Sequence, residues 1–583
     1  MKRCPECWRD YTDDTLNFCL EDGMPLVYGV SADEPATAIL SGLEAIVTKT
    51  PQSESPTRVQ VNTNAPNSVL SSALLGAVNR SGTPLQKRYL LSLALALLLI
   101  TGAYFAYKNF KSAGGPQIES IAVMPFANES GNAEIEYLSD GMTETLINSL
   151  SQLPNLKVMS RNSVFRYKGK ESDTQKVGSE LNVRALITGS VKQIGDQLII
   201  NISLDDTQDN HHIWGEQYNR KQSDLISLQS EIARDVSNKL KTKLSGTDER
   251  RVTKVYTANP EAYQLYLQAL YYWNKRTPED LRRSIVLFQQ AADKDSSYAQ
   301  AYAGLALAYD VLPKNSNMPK QDIRDMQLKE RAALTKAREL DDSLAEVHAI
   351  LARLKEEIDW DFVGSEMEFK RAVELNPSFA TAHQWYSDLL METGRREEAI
   401  AEIDKAHDID PFSRVINATI GLRFYEARRF DEAISQLKRV IEMEPNYPLA
   451  HSFLADMYRS NGMYLEAIAE TRLADALYGE SPENSERKAA AFTQALQAGG
   501  AQGYWRKSLE LNMKEYEKGY GSAYDVADND AALSDKDRAF EWLEKSFANH
   551  EEELVNLIVN PAYDGLSSDS RFADLVRRVG LRQ

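Results

Sequence analysis

The sequence predicts a multidomain chain: a small cysteine-bearing module, a disordered linker, one membrane-spanning helix, an α/β domain and an all-α solenoid of helical hairpins. Three observations carry this. Residues 89–107 read YLLSLALALLLITGAYFAY, 19 in a row without a charge. Residues 118–245 alternate between strand and helix periods. Beyond Pro260 the apolar pattern is helical and recurs every 34 residues, in Pro377, Pro411 and Pro445, in Ala399, Ala433 and Ala467, and in Ala372, Ala406, Val440 and Ala474.

At 583 residues the chain exceeds what one core supports, so several domains are expected. The formal net charge is −18, from 85 acidic and 67 basic side chains. That balance argues against nucleic acid as a main partner, because phosphate binding needs a clustered positive surface. All three cysteines, Cys4, Cys7 and Cys19, fall in the first 29 residues, so no disulfide framework supports the rest.

Taken in order, residues 1–29 are a candidate metal module. Residues 30–86 hold no Phe, Tyr, Trp or Cys. They cannot bury enough apolar area to offset ordering entropy, so a flexible linker is expected, reaching on the order of 40 Å. Residues 87–109 contain the uncharged run, long enough at about 1.5 Å per residue to cross a bilayer. Lys87 and Arg88 stop it on one side and Lys108 and Lys111 on the other, with Tyr89, Tyr104 and Tyr107 near its ends. A cleaved leader is not expected, since 88 residues precede it.

Residues 118–245 form the α/β unit. IESIAVMPFAN is a β-branched run, EYLSDGMTETLINSLSQLP a helix, LKVMS a short strand and DTQKVGSELNV a short helix. Three strands follow, with turns at Gly195-Asp196 and Asp209-Asn210, and DLISLQSEIARDVSNKLKTKL closes the unit as an amphipathic helix. Asp140-Gly141 is expected at a turn or helix start. Asp205-Asp206 is expected to be a solvated pair. His211 and His212 point to opposite faces of a strand and cannot share an ion. Trp214 and Tyr218 are expected in the core. Residues 259–480 carry the 34-residue period and 481–583 form a helical capping region whose first part loses it.

These motifs resemble known families. The segment LAHSFLADMYRSNGMYLEAIAETRLADAL, with Leu454, Ala455, Tyr458, Gly462, Ala467 and Ala474 at pattern positions, resembles the tetratricopeptide repeat. The segment beginning SIAVMPFANESGNAEIEYLSDGMTETL, continuing through ELNVRALITGSVKQIGDQLIINISLDD, resembles the TolB amino-terminal-like domain. This order is similar to bacterial membrane-anchored signalling proteins of the adenylate cyclase-like, kinase-linked and CadC-like kind. The resemblance implies a binding and sensing module without chemistry of its own. The amino terminus, C-P-E-C and F-C-L-E-D-G-M-P-L, resembles a small bacterial zinc ribbon, with Asp22 at the place of a fourth cysteine. Cys4, Cys7, Cys19 and Asp22 would then hold a structural Zn2+, since carboxylate oxygen can close the tetrahedron. A ribbon that no longer holds metal tightly is the alternative.

No phosphate-loop, kinase or Gly-x-Ser-x-Gly signature occurs, so no enzyme is expected. Thiolate ligands need a reducing compartment, which puts the ribbon in the cytoplasm, the span in a bacterial inner membrane and the later domains outside. In tetratricopeptide arrays the first helix of each repeat lines the concave face. That face would carry Gln300, Gln384, Asp388, Tyr425, Asp456 and Arg459, a mixture suited to a protein or peptide segment. A scaffold or sensor is therefore the expected function. A transmembrane regulator acting through the ribbon is the second reading, although residues 1–29 carry three basic and six acidic side chains.

Overall fold

The computed structural model describes residues 118–132, 135–170, 173–240, 245–316 and 318–581, together with the backbone of three short strands near the amino terminus. Two compact units result, Met1–Gly102 and Ala103–Gln583. In the first, β1 (Lys2–Arg3) pairs antiparallel with both β2 (Asp10–Tyr11) and β3 (Val27–Tyr28). The expected zinc ligands, the 30–86 linker and the 87–109 apolar segment lie outside the described residues. Among the described residues no helix is long and apolar enough to cross a membrane.

The second unit opens with a mixed sheet. Its strands are β4 (Ser120–Val123), β5 (Ala127–Asn128), β6 (Lys157–Val158), β7 (Ala185–Ile194), β8 (Gln197–Asp206) and β9 (His212–Lys221). The order is β6-β4-β7-β8-β9, with β6, β4 and β7 parallel and the last three antiparallel. β8 shows why a strand forms here: Leu198, Ile200, Ile202 and Leu204 alternate into the core. Both expected turns are present, with Gly195 at φ 64° and Asn210 at φ 56°. α1 (Glu136–Ser151), α2 (Arg161–Phe165), α3 (Thr174–Leu181), α4 (Leu225–Lys239) and α5 (Gly246–Val252) complete the domain.

Two local expectations change. Asp140-Gly141 lies inside α1, not at its start. Gly141 is needed because a Cβ there would come within 2.9 Å of Leu267 on the first array helix. Asp205-Asp206 is bonded rather than solvated: Asp205 meets His212 Nδ1 at 2.9 Å, and Arg184 donates to Asp206 at 3.2 Å. Tyr218 is buried as expected and donates to Asp235 at 3.0 Å.

The array follows as pairs: α6 (Pro260–Trp273) with α7 (Pro278–Lys294), α8 (Ala299–Lys314) with α9 (Lys320–Leu340), α10 (Ala345–Arg353) with α11 (Phe362–Leu375), α12 (Ala380–Glu392) with α13 (Arg396–Ile409), α14 (Arg414–Glu426) with α15 (Phe430–Met443), and α16 (Pro448–Ser460) with α17 (Tyr464–Leu477). The small-residue columns read from the sequence are the buried seams: Ala399, Ala433, Ala467, Ala372, Ala406 and Val440 are fully buried. The turn inside each pair repeats as strictly. Trp360, Gly394, Arg428 and Gly462 stand 34 apart, all left-handed, with φ of 53°, 80°, 65° and 74°.

One repeat is irregular. His348, His383, Asn417 and His451 occupy one column, and the first spacing is 35 residues where the others are 34. The surplus residue falls between His348 and Trp360. It is absorbed in a π-helical turn, Leu354–Ile358, the geometry an inserted residue imposes on an α-helix. At each column position the side chain ties two helices and a turn. His348 meets Glu368 Oε2 at 2.6 Å and the Asp342 carbonyl at 2.8 Å. His383 and His451 repeat this with Glu402 and Glu470. In the fifth pair Asn417 and Gln436 replace the ionisable pair.

α18 (Pro482–Glu517), broken at Gly500, leads to α19 (Ala523–Ala532), α20 (Lys536–Ala548) and α21 (Ser570–Val579). This carboxy-terminal region folds back on the array. His550 stacks on Trp360 at 3.8 Å and bonds the Ile358 carbonyl. Ile558 lies against Gly394, and Arg428 donates to the Val559 carbonyl and Asp564. One strap thus engages the left-handed turns of three successive pairs, and its Leu554, Val555, Leu557 and Val559 are buried in the shared core.

Candidate functional site: the inner wall of the helical array

The first helices of successive pairs bring their charged side chains onto one wall. Arg423 of α14 is at its centre, with a side chain only 4% exposed. It pairs with Asp388 at 3.0 Å and Glu426 at 3.2 Å, and donates to the Ser387 carbonyl. Burial alone would lower its pKa; Glu426 and Asp388 outweigh that and hold it raised. Burial likewise pushes Glu426 up to about 7 despite Arg423.

Next along the wall, Arg353 pairs with Glu357, and Lys314 pairs with Asp310 at 2.7 Å. Between these groups lie Glu356 and Glu392, side by side and 3% and 8% exposed. Burial, and then each other's charge or that of Glu357, raises both. Two buried carboxyls side by side resist ionising together. The π turn supplies this contact, since Glu356 sits within it. Carboxylates outnumber cations along the wall, and water still reaches it: the Asp388 side chain is 23% exposed and Lys314 42%.

The six residues expected on the concave face divide. Gln384 and Asp388 lie on this wall; Gln384 is buried and donates to Thr419 at 3.3 Å. Tyr425, Asp456 and Arg459 group further on. There Tyr425 bonds Ser460 at 2.8 Å, Asp456 pairs with Arg459, and Arg459 approaches the Trp505 ring at 5.9 Å. Gln300 does not join them. It lines a cleft with Thr145, Gln152, Tyr263 and Tyr298, where the α/β domain covers the first helices. Sequence reasoning missed Arg353, Glu356, Glu392, Arg423 and Glu426. Glu392 and Glu426 share one column, 34 residues apart, a signal that periodicity offered; Arg353 and Arg423 have unlike residues at their column positions and gave none. Reading the buried face of each first helix for ionisable side chains would have found them.

Among the described residues no group of three or more His, Cys, Asp or Glu side chains has metal-binding geometry. The arrangement offers a charged, partly wetted wall without a nucleophile–base pair.

Comparison with known proteins agrees with this architecture. Residues 117–235 match the family described as HilA/YgeH-like transcriptional regulator, second domain, where the sequence suggested a TolB-like domain. Residues 367–414 and 419–484 match the tetratricopeptide repeat family. A putative adenylate cyclase 3 of Rhizobium meliloti is 33% identical over 237 residues, 33% of this chain and 40% of that protein. The transcriptional regulator HilA of Salmonella typhimurium is 22% identical over 324 residues, 55% of this chain and 56% of that protein. The chain thus spans about half or less of the curated relatives it matches. Among solved structures, Pseudomonas aeruginosa pilF is 20% identical, covers 38% of this chain and 96% of its own, and gives a TM-score of 0.28.

Proposed function

We propose that the chain is a non-catalytic, membrane-anchored scaffold or sensor whose helical array holds a protein or peptide segment. The observation that carries this is the inner wall: a run of buried and half-buried ionic groups with surplus carboxylate, positioned by first helices of successive repeats. Such a wall suits a segment with basic or amide side chains, engaged at the Tyr425, Asp456 and Arg459 end, which the strap leaves free. The uncharged run at residues 89–107 supports anchorage in a bacterial inner membrane, with the amino terminus cytoplasmic and the α/β and helical domains outside. Cys4, Cys7, Cys19 and Asp22 would hold a structural zinc on the cytoplasmic side.

Site-specific photocrosslinking in intact cells tests this reading. A photoreactive residue at Asp456 should give a discrete adduct. The same residue at Leu465, exposed on the second helix of the same pair, should not. Identical patterns from both positions would remove the inner wall as the binding face. The second reading is a regulator that signals through the ribbon. It is favoured by the HilA/YgeH-like match at residues 117–235, and it predicts that Cys7→Ser changes transcript levels while leaving the adduct intact.

A further inference from the structure

Four arginines converge where the α/β domain meets the array. Arg161 and Arg166 flank α2, Arg276 is the left-handed turn residue of the first pair (φ 61°), and Arg414 opens α14. The domain contact brings them together. Ser160 N donates to the Ile409 carbonyl at 3.1 Å, Ser163 Oγ to Asp410 at 2.6 Å, Asn162 to Asp410 at 3.1 Å, and Phe412 N to Ser163 Oγ at 3.3 Å. Asp410 is thereby turned inward, 2% exposed, with both oxygens used.

Each guanidinium lies on an aromatic face: Arg161 on Phe165, Arg166 on Phe412 and Arg276 on Trp273, all at 3.7 Å, and Arg414 on Tyr447 at 4.8 Å. A ring against the face of a guanidinium leaves its in-plane N–H groups pointing outward, and limits the freedom lost when an acceptor arrives. Among the described residues only Arg161 has a carboxylate at ion-pair distance, Glu144 at 3.3 Å. Arg166, Arg276 and Arg414 have none. Of the other acids nearby, Asp310 is held by Lys314 and Asp140 by Lys168. Burial pulls Arg276 down to about 10; the charges of Asp310 and Glu144 oppose this, and those of Arg414 and Arg161 add to it. Trp273 Nε1, on the ring beneath the Arg276 guanidinium, is a buried donor without a partner among the described residues.

Three guanidinium groups without an ion-pair partner, gathered at one domain contact, stand out on a chain of net charge −18. We infer that Arg161, Arg166, Arg276 and Arg414 form a docking site for a compact oxyanion, a carboxylate or phosphoryl group carried on a partner's peptide segment. Arginine forks match both groups in geometry. A nucleic acid is disfavoured, because its extended charge would meet the acidic surroundings beyond four arginines. The site draws on the α/β domain, the first pair and the fifth pair, and does not depend on what the inner wall binds.

Fluorescence anisotropy with full-length protein and dye-labelled Glu-Glu-Ser-Glu-Glu, with and without phosphate on the serine, tests the inference. Saturable binding is expected, competed by inorganic phosphate and weakened at least tenfold by Arg276→Asn with Arg414→Gln. Asn tolerates the left-handed backbone at 276, so this pair of changes should preserve the fold, checked by thermal unfolding. Arg166→Gln alone should weaken binding several-fold. Arg324→Gln, on an exposed arginine of α9, should not change it. Binding of the phosphorylated peptide alone assigns the phosphoryl group, and binding of both assigns the carboxylate. Absence of saturable binding, an equal loss with Arg324→Gln, or tighter capture of a single-stranded oligonucleotide would overturn the inference.

Discussion

Replacing Arg423 by Met probes the inner wall most directly. The change keeps an unbranched apolar stem but removes a guanidinium that is only 4% exposed and pairs with both Asp388 and Glu426. Removing one partner of a buried ion pair costs about 3–5 kcal/mol, because the remaining charge is left uncompensated. The carboxyls can answer by taking up protons, so the low end, about 3 kcal/mol at pH 8, is expected. Its pH dependence follows from Glu426, raised to about 7 in the folded chain against roughly 4.3 when unfolded. A raised acid binds its proton more tightly folded than unfolded, so its contribution to stability falls as pH rises from about 4.3 to 7. The Arg423–Glu426 attraction therefore exists only above about pH 7. At pH 5.5 Glu426 is already neutral, Arg423 keeps only Asp388, and the penalty should drop to about half. Hydrogen exchange of α12 and α14 amides, corrected for intrinsic rate, reads this as local opening. Roughly 100-fold faster exchange is expected at pH 8 and roughly 10-fold at pH 5.5. Acceleration below threefold at pH 8, or the same at both pH values, would refute the account.

Other outcomes follow from the same structure. Gly304→Ala should destabilise the first two pairs by about 2 kcal/mol, read as a lower unfolding temperature: the new Cβ would lie 2.4 Å from the buried Phe288 ring, and overpacking outweighs the helix-propensity gain. His348 has its pKa raised: burial opposes, but Glu368 and the Asp342 carbonyl prevail. Its clasp is complete below about pH 6.5 and is lost as pH rises through the higher folded value. Exchange in α10 and α11 should therefore quicken on the alkaline side, and His348→Asn with Glu368→Gln, copying Asn417–Gln436, should abolish that dependence. For the amino-terminal module, elemental analysis should find about one zinc per chain, lost in Cys7→Ser and retained in Asp22→Cys.

The array was legible because its energetics are repetitive. Each pair buries the same small-residue seam, so Ala399, Ala433 and Ala467 announce the fold in their spacing. The β7–β9 meander was legible through alternation and its two left-handed turns. The wall was not: Glu356, Glu392 and Arg423 gain their meaning from side chains in other repeats, and the surplus residue between His348 and Trp360 breaks the register that would have aligned them. Gln300 was assigned by column, but the α/β domain covers its position, a tertiary contact that no local pattern encodes. The strap was hidden for a related reason, since residues 547–564 follow no repeat of their own yet fit one belonging to distant turns.

That strap has a mechanical consequence. A superhelix of stacked hairpins behaves as a spring, because small rotations between neighbours add along its length. By gripping Trp360, Gly394 and Arg428 together, one segment fixes the pitch across three coils. Compliance is then confined to the windings beyond, near Gly462, where a Cβ would meet nothing within 4 Å. Rotation of that winding, which carries α18 with it through Tyr464 and Trp505, would reach the clamped coils as a push on one rigid body.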